Sequence, residues 1–196
     1  MNEGVRSRRS KLWSEKGHTQ LESLSLAPWT TRRRTDLLEL LDRLDNTIHR
    51  LTQAVEDEAV NVPEVQLLIT HPGVGPLTVL SFVLTLGQWE RFRSGKHVAS
   101  YLGLAPTAHS SGGYQRLGHI SKQGNSLMRF LLDEAAHVAV RCSPEWRQTY
   151  MRLSIHRDNG IARTALARKL AVHLYWMLRK KLSYEHMQPA LGSHAR

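Results

Sequence analysis

The sequence has a single cysteine, Cys142, so no internal disulfide is available to hold a small or loop-rich fold together. Its apolar periodicity makes Cys142 a small buried hydrophobe. Long apolar runs are also missing. None reaches the roughly 20 residues of a membrane-spanning helix, and the opening MNEGVRSRRSKLW has no signal-peptide core. There are 11 histidines, but no HExxH, no paired CxxC and no His pair at i, i+4. A phosphate-loop or dinucleotide motif is absent, as is a strand-borne set of spaced acids of the two-metal nuclease type. The reading is a cytoplasmic protein without membrane contact, metal site or cofactor of its own.

Acid is scarce and unevenly placed. Against 27 Lys and Arg there are 17 Asp and Glu, for a net charge of +10. Residues 36–64 hold Asp36, Glu39, Asp42, Asp45, Glu56, Asp57, Glu58 and Glu64, so the second half carries most of the uncompensated base. A localised positive field favours a polyanion such as DNA or RNA, with salt-sensitive affinity. The plainer alternative is a basic solvated surface with no partner.

Hydrophobic spacing predicts a mostly α protein. Residues 1–35 are basic and give no clean period, and are expected to be partly ordered. Over 36–59, Leu37, Leu41, Leu44, Ile48, Leu51 and Val55 step by four and three, an a/d seam of nearly three heptads. That predicts a coiled-coil arm, or else an amphipathic helix packed on its own domain. Residues 62–187 form the helical domain, and 188–196 a disordered tail. Within the domain, VPEVQLLITHPGVGPLTVLSFVLTLG reads as helix, tight turn, helix, with Pro76 in the second helix's first turn. This resembles a helix-hairpin-helix element, in which the Gly73-Val74-Gly75 turn would offer backbone N–H groups to a phosphate. An ordinary core turn is the alternative.

The segment after Gly103 is turn-rich up to Gly124 and can hold a short β-hairpin around 111–117. From Asn125 a stripe of Leu127, Leu131, Ala135, Val138 and Cys142 predicts a helix. Ser143-Pro144 opens the next, and Asp158-Asn159-Gly160 ends it. A last helix over about 161–182 carries Ile161, Ala165, Leu166, Leu170, Leu174 and Leu178, with Arg163, Arg168, Lys169, Arg179, Lys180 and Lys181 on its other face as a phosphate track.

The chemistry concentrates in GLAPTAHSSGGYQRLGHISKQGNSLMR. Ser110 and Ser111 are nucleophile candidates. A hydroxyl needs activation or a stabilised transition state, and Arg116, Lys122 and Arg129 supply nearby positive charge. His109 or His119 could move protons. From composition alone, Ser-Ser-Gly-Gly is more often a flexible turn.

Taken in order, HPGVGPLTVLSFVLTLG, RFRSGKHVASYLGLAP, HSSGGYQRLGHISKQGNSLMRFLLDEAA and ARKLAVHLYWMLRKK resemble the C-terminal half of IS110/IS1111-family transposases. The resemblance runs from about Leu12 to Met187 and is densest over Leu67–Ala136. It implies an RNA-guided recombinase of insertion sequences, whose transposase domain supplies a serine that attacks DNA and holds it covalently. It overturns the flexible-turn reading and places the nucleophile at Ser111, in the Ser-Gly step, with Ser110 as the alternative. Gly112, Gly118, Ile120, Lys122 and Gly124 match the family pattern. The family's Leu-Arg pair reads Leu127-Met128-Arg129 here. The implied nucleic-acid contacts are Gly73, Gly75, Arg116, Lys122, Arg129, Arg168 and Lys169. The resemblance also implies a RuvC-like domain with acidic Mg2+ ligands before the coiled coil. This sequence is expected to lack it, and so to be inactive alone and to supply only the serine half of a composite site. The implied partners are DNA, a structured guide RNA, and a second copy or a full-length transposase through Leu37–Val55, in a bacterial, nucleoid-associated setting. The alternative is a non-catalytic nucleic-acid-binding or oligomerisation module left from a decayed element.

Overall fold

In the computed structural model, residues 14–108, 117–155 and 158–187 are described. They form two compact units, Met1–Ala54 and Val55–Arg196. The protein is mostly α, as its periodicity predicts.

In the first unit, α1 (Glu15–Glu22) starts at Ser14, whose hydroxyl accepts from the Gly17 N–H at 3.3 Å. The next helix, α2 (Pro28–Val60), starts well before residue 36, because Pro28 is pre-set for a first helical position. Arg34 joins the two helices within the unit. Its guanidinium donates to the carbonyls of Leu21 and Leu24, both at 2.9 Å, answering acceptors where α1 ends. Along α2 the seam residues Leu37, Leu44, Ile48 and Leu51 are all at least half exposed, while Leu41 and Val55 are half-buried.

The second unit is built around one helix. Its elements are α3 (Pro63–Ile69), α4 (Pro76–Leu86), a 3-10 turn (Trp89–Arg91), α5 (Gly95–Tyr101), β1 (Pro106–Ala108), β2 (Leu117–Ile120), α6 (Ser126–Cys142), α7 (Pro144–Ser154), α8 (Asn159–Lys180) and α9 (Tyr184–Met187). The central helix is α8, which α3, α5, α6, α7 and the 3-10 turn all contact. It is buried on more than one side: Leu166, Leu170, Leu174 and Leu178 lie in the core, and so do Ala162, Ala167, Ala171, Tyr175 and Met177. A helix buried on several sides belongs at the centre of a packed unit.

Several local expectations shift. The buried face of α6 is Met128, Leu131, Leu132, Ala135, Ala136 and Ala139, so Leu127 and Cys142 are exposed. Cys142 is therefore not the buried hydrophobe its periodicity suggested, because α6 turns the neighbouring register inward. Asp158 does not end α7. It caps α8, accepting from the Gly160 N–H at 3.1 Å. Lys181 lies beyond α8 in the left-handed region, φ 54°, and closes the helix. The antiparallel ribbon pairs Pro106 with Ile120 and Ala108 with Leu117, so its strands flank residues 109–116.

Candidate nucleic-acid interface

The ribbon rises from a tightly fastened stem. Gly103, at φ +72°, passes so close to the returning chain that a Cβ would lie 2.8 Å from the Gln123 nitrogen. A Cβ on Gly124 would lie 2.6 Å from the Tyr101 carbonyl oxygen. Glycine is required at both points because two backbones touch. Across this crossing the Lys122 N–H donates to the Gly103 carbonyl at 3.1 Å and the Ser121 N–H to the Ala105 carbonyl at 2.8 Å. Arg129 pins both segments, donating to the Gly124 carbonyl at 2.9 Å and the Leu102 carbonyl at 3.4 Å. The Thr107 hydroxyl donates to the His119 carbonyl at 3.0 Å.

A cleft of about 820 Å³ opens between this stem and the N-terminal half of α8. His119, Lys122 and Arg168 line it, together with Asp158 and Thr164. A second hollow of about 350 Å³ shares Leu104, Ile120, Gly160 and Thr164 with it and is bounded by Arg129, Asp133 and Arg163. Arg163 is paired with Asp133, so its charge is answered within the fold. Lys122 and Arg168 have no carboxylate within ion-pair distance among the described residues. Asp158 already places a carboxylate at the start of α8, so the cleft's attraction for anions rests on the two cations rather than on the helix dipole.

Lys122 holds its position at a cost. Its φ of 56° is in the left-handed region, where an L-residue is strained by roughly 1–2 kcal/mol. Among the described non-glycine residues, only Lys181 shares that conformation. Strain of this kind is typical of functional sites.

Thus Lys122 and Arg168, far apart in sequence, meet at one cleft, and Arg129 borders the adjoining hollow while holding the stem. Ser110, Ser111 and Arg116 lie outside the described residues, between the two strands. Lys169 is exposed and lines neither cavity. The basic residues of α8 do not share one face. Arg168 and Arg179, eleven apart, project to one side, and Lys169 and Lys180 to another. Gly73 and Gly75 line neither cavity and differ from each other. Gly73, at φ +85°, is pressed on α6: a Cβ would lie 2.3 Å from the Ala139 nitrogen. Gly75 stands open at the N-cap of α4, with no described residue within 4 Å of a Cβ. Close packing therefore accounts for Gly73, and only Gly75 is free to meet a ligand.

The sequence reading missed a buried cluster of His71, Trp146, His173 and Tyr184. The His71 ring lies 5.0 Å from Trp146, 5.2 Å from His173 and 4.6 Å from Tyr184. His71 Nδ1 donates to the Pro72 carbonyl at 2.8 Å, and its Nε2 has no partner among the described residues. Burial, with the neighbouring His173 adding to it and the Pro72 bond opposing, lowers His71 to a pKa of about 3; burial lowers His173 to about 4. Both are neutral at physiological pH. Four residues from α7, α8, α9 and the turn after α3 carry no shared spacing that could have revealed them.

Residues 65–151 match the model of the IS116/IS110/IS902 transposase family. The chain belongs to that family. It is 32% identical over 156 residues to a probable family 20 transposase of Pseudomonas aeruginosa, covering 76% of this chain and 45% of that protein. It is 31% identical over 151 residues to the transposase for insertion sequence element IS1111A of Coxiella burnetii, covering 74% and 41% respectively. A pilin gene-inverting protein of Moraxella bovis is 35% identical over 71 residues, 36% of this chain and 22% of that protein. The chain thus spans about half the length of the first two relatives. The family match begins at Val65, inside α3, and takes in the Gly73 turn, the ribbon and α6. No described helix is long and apolar enough to cross a membrane.

Proposed function

We propose that this chain is a DNA-handling part of an insertion-sequence transposase, which seats a phosphodiester backbone in the cleft between the ribbon stem and α8. The meeting of Lys122 and Arg168 there carries the reading. Two unpaired cations beside a strained, hydrogen-bonded stem suit a phosphate better than they suit folding. The cleft sits at the foot of the ribbon whose connecting segment contains Ser110 and Ser111.

In this reading Ser111 is the nucleophile, with Ser110 as the alternative. Its oxygen attacks phosphorus, a new serine–phosphate bond forms, and the bond to one deoxyribose oxygen breaks. The serine proton leaves to a base, for which His119 is available, and the departing oxygen takes up a proton. Lys122 and Arg168 would lower the energy of the extra charge on the phosphoryl oxygens. Among the described residues there is no group of three or more His, Cys, Asp and Glu that could hold a metal ion. The carboxylates for Mg2+ would come from a RuvC-like domain of the family, and a structured RNA would be the guide. The exposed seam on α2 supports self-association or pairing with a full-length transposase.

The test is covalent trapping. The chain is mixed with a full-length relative and labelled element-end DNA, and adducts are resolved under denaturing conditions. An adduct of this chain that Ser111→Ala removes supports the assignment. One removed only by Ser110→Ala shifts it by a residue. An adduct that survives both changes overturns the serine reading.

A further inference from the structure

The C-terminal end of α8 carries a second basic surface, separate from the cleft. The 159–184 stretch has six basic residues and no acidic one. At its far end, Arg179 donates to the Phe92 carbonyl at 2.6 Å and to the Tyr175 hydroxyl at 2.5 Å, and that hydroxyl donates to the same carbonyl at 2.6 Å. Phe92 stands between Arg91 and Arg93. These bonds bring the 3-10 turn and its cations beside Arg179. Gly95 closes the junction: a Cβ there would lie 2.6 Å from Val172 Cγ1, so α5 begins directly on α8. The same joint thus gathers Arg91, Arg93, Lys96, Arg179 and Lys180, all exposed and none in an ion pair among the described residues.

Aromatic rings are interleaved with these cations. The Arg91 guanidinium lies 4.6 Å from the Phe92 ring centre and 4.8 Å from that of Tyr101, whose side remains 45% exposed. Arg179 and Lys180 each lie 5.9 Å from the Trp176 ring centre. Helix stability does not explain the whole group. Arg179 and Lys180 suit the negative end of α8, but Lys96 sits in the first turn of α5, where the dipole disfavours a cation. The exposed Glu90 is the one acid between Gln88 and Tyr101, and it pairs with none of these cations.

We propose that Arg91, Arg93, Lys96, Arg179 and Lys180 form a second contact for a nucleic-acid phosphodiester backbone, on a track continuing from the cleft. This rests on the reading of the cleft as a nucleic-acid site. Arg168 in the cleft and Arg179 in the patch are three helical turns apart on one side of α8, about 16 Å along its axis. That distance matches about five base-pair steps of duplex, so one backbone can reach both. Rings and guanidinium planes can also stack on unpaired bases, so RNA shares the chemistry.

The experiment uses the full chain and two probes, a duplex DNA of about 30 base pairs and a structured RNA with the same number of phosphates, titrated over salt. The patch variant is Arg93→Gln/Lys180→Gln, which leaves the Arg179 bonds intact. Its slope of log affinity against log salt should fall by about 2, near 0.9 per lost phosphate contact on duplex and somewhat less on single strands. A fall on one probe only assigns the patch to that nucleic acid. Arg93→Lys/Lys180→Arg should keep the slope; a fall there too would make the effect structural and overturn the proposal. An unchanged slope in the patch variant, with a reduced one in Lys122→Gln/Arg168→Gln, overturns the patch and leaves the cleft standing. Failure of the unmodified chain to bind either probe removes the cleft reading and the patch with it.

Discussion

Gly73→Ala should destabilise the helical unit by about 2–5 kcal/mol, for reasons unrelated to nucleic acid. Two costs add. An L-residue at φ +85° is strained by roughly 1–2 kcal/mol. The new methyl would also sit 2.3 Å from the Ala139 nitrogen, 2.7 Å from its Cα and 2.9 Å from the Val138 carbonyl carbon. All three are backbone atoms of α6, a helix whose opposing residues Leu132, Ala136 and Ala139 are buried. A side-chain rotation cannot relieve the clash, and overpacking of this kind costs about 1–3 kcal/mol. A domain of this size is stable by about 5–15 kcal/mol, so the variant should fold with a clearly lower urea midpoint. Gly75→Asp is the control. Its φ of −97° suits any residue, no atom of the described residues beyond its chain neighbours lies within 4 Å of an added Cβ, and aspartate is a good N-cap for α4. It should leave the midpoint unchanged or raise it, while placing a negative charge where the hairpin reading puts a phosphate. Equal midpoints for Gly73→Ala and the unmodified protein would refute the packing argument.

Further expectations follow from the same geometry. His71 and His173 have folded pKa values below their ordinary 6.5, so the unfolded chain binds more protons between about pH 6.5 and 4. Stability is therefore full above pH 6.5 and falls as the pH drops towards about 4 for His173 and about 3 for His71; urea midpoints of His173→Leu should show a shallower decline over that range. Lys122→Gly should leave stability unchanged or raise it by up to about 1 kcal/mol, because it relieves the left-handed backbone, yet weaken nucleic-acid binding. Tyr175→Phe removes a hydroxyl buried between Phe92 and Arg179 and should cost about 1 kcal/mol in thermal or urea melts, since Arg179 still answers the Phe92 carbonyl. Leu44→Glu/Ile48→Glu should abolish self-association in sedimentation while leaving the melting of the second unit unchanged.

The sequence carried the helices well, because their signals are local. Pro28, Pro63, Pro76 and Pro144 each sit at a helix start, and the α2 seam steps evenly. The inward face of α6 lies one position from the stripe its spacing predicts, because Leu127 and Met128 are both apolar and the packing of α4, α7 and α8 against α6 decides which turns in. The site was half legible. Lys122, Arg129 and Arg168 could be named from charge and resemblance. That Lys122 and Arg168 share a cleft, that Arg129 fastens the stem, and that Arg163 is neutralised by Asp133 are long-range facts. Gly73 and Gly75 look equivalent in sequence. The α6 backbone at Val138 and Ala139, more than 60 residues further along the chain, makes one indispensable to packing and leaves the other free.

Binding to duplex DNA across salt, for the unmodified chain and for Lys122→Gln/Arg168→Gln, tests the central claim most directly. The cleft reading predicts steep salt dependence between about 50 and 200 mM, and a slope lower by about 2 in the variant with its urea midpoint unchanged. Binding with the same slope in both proteins would contradict it.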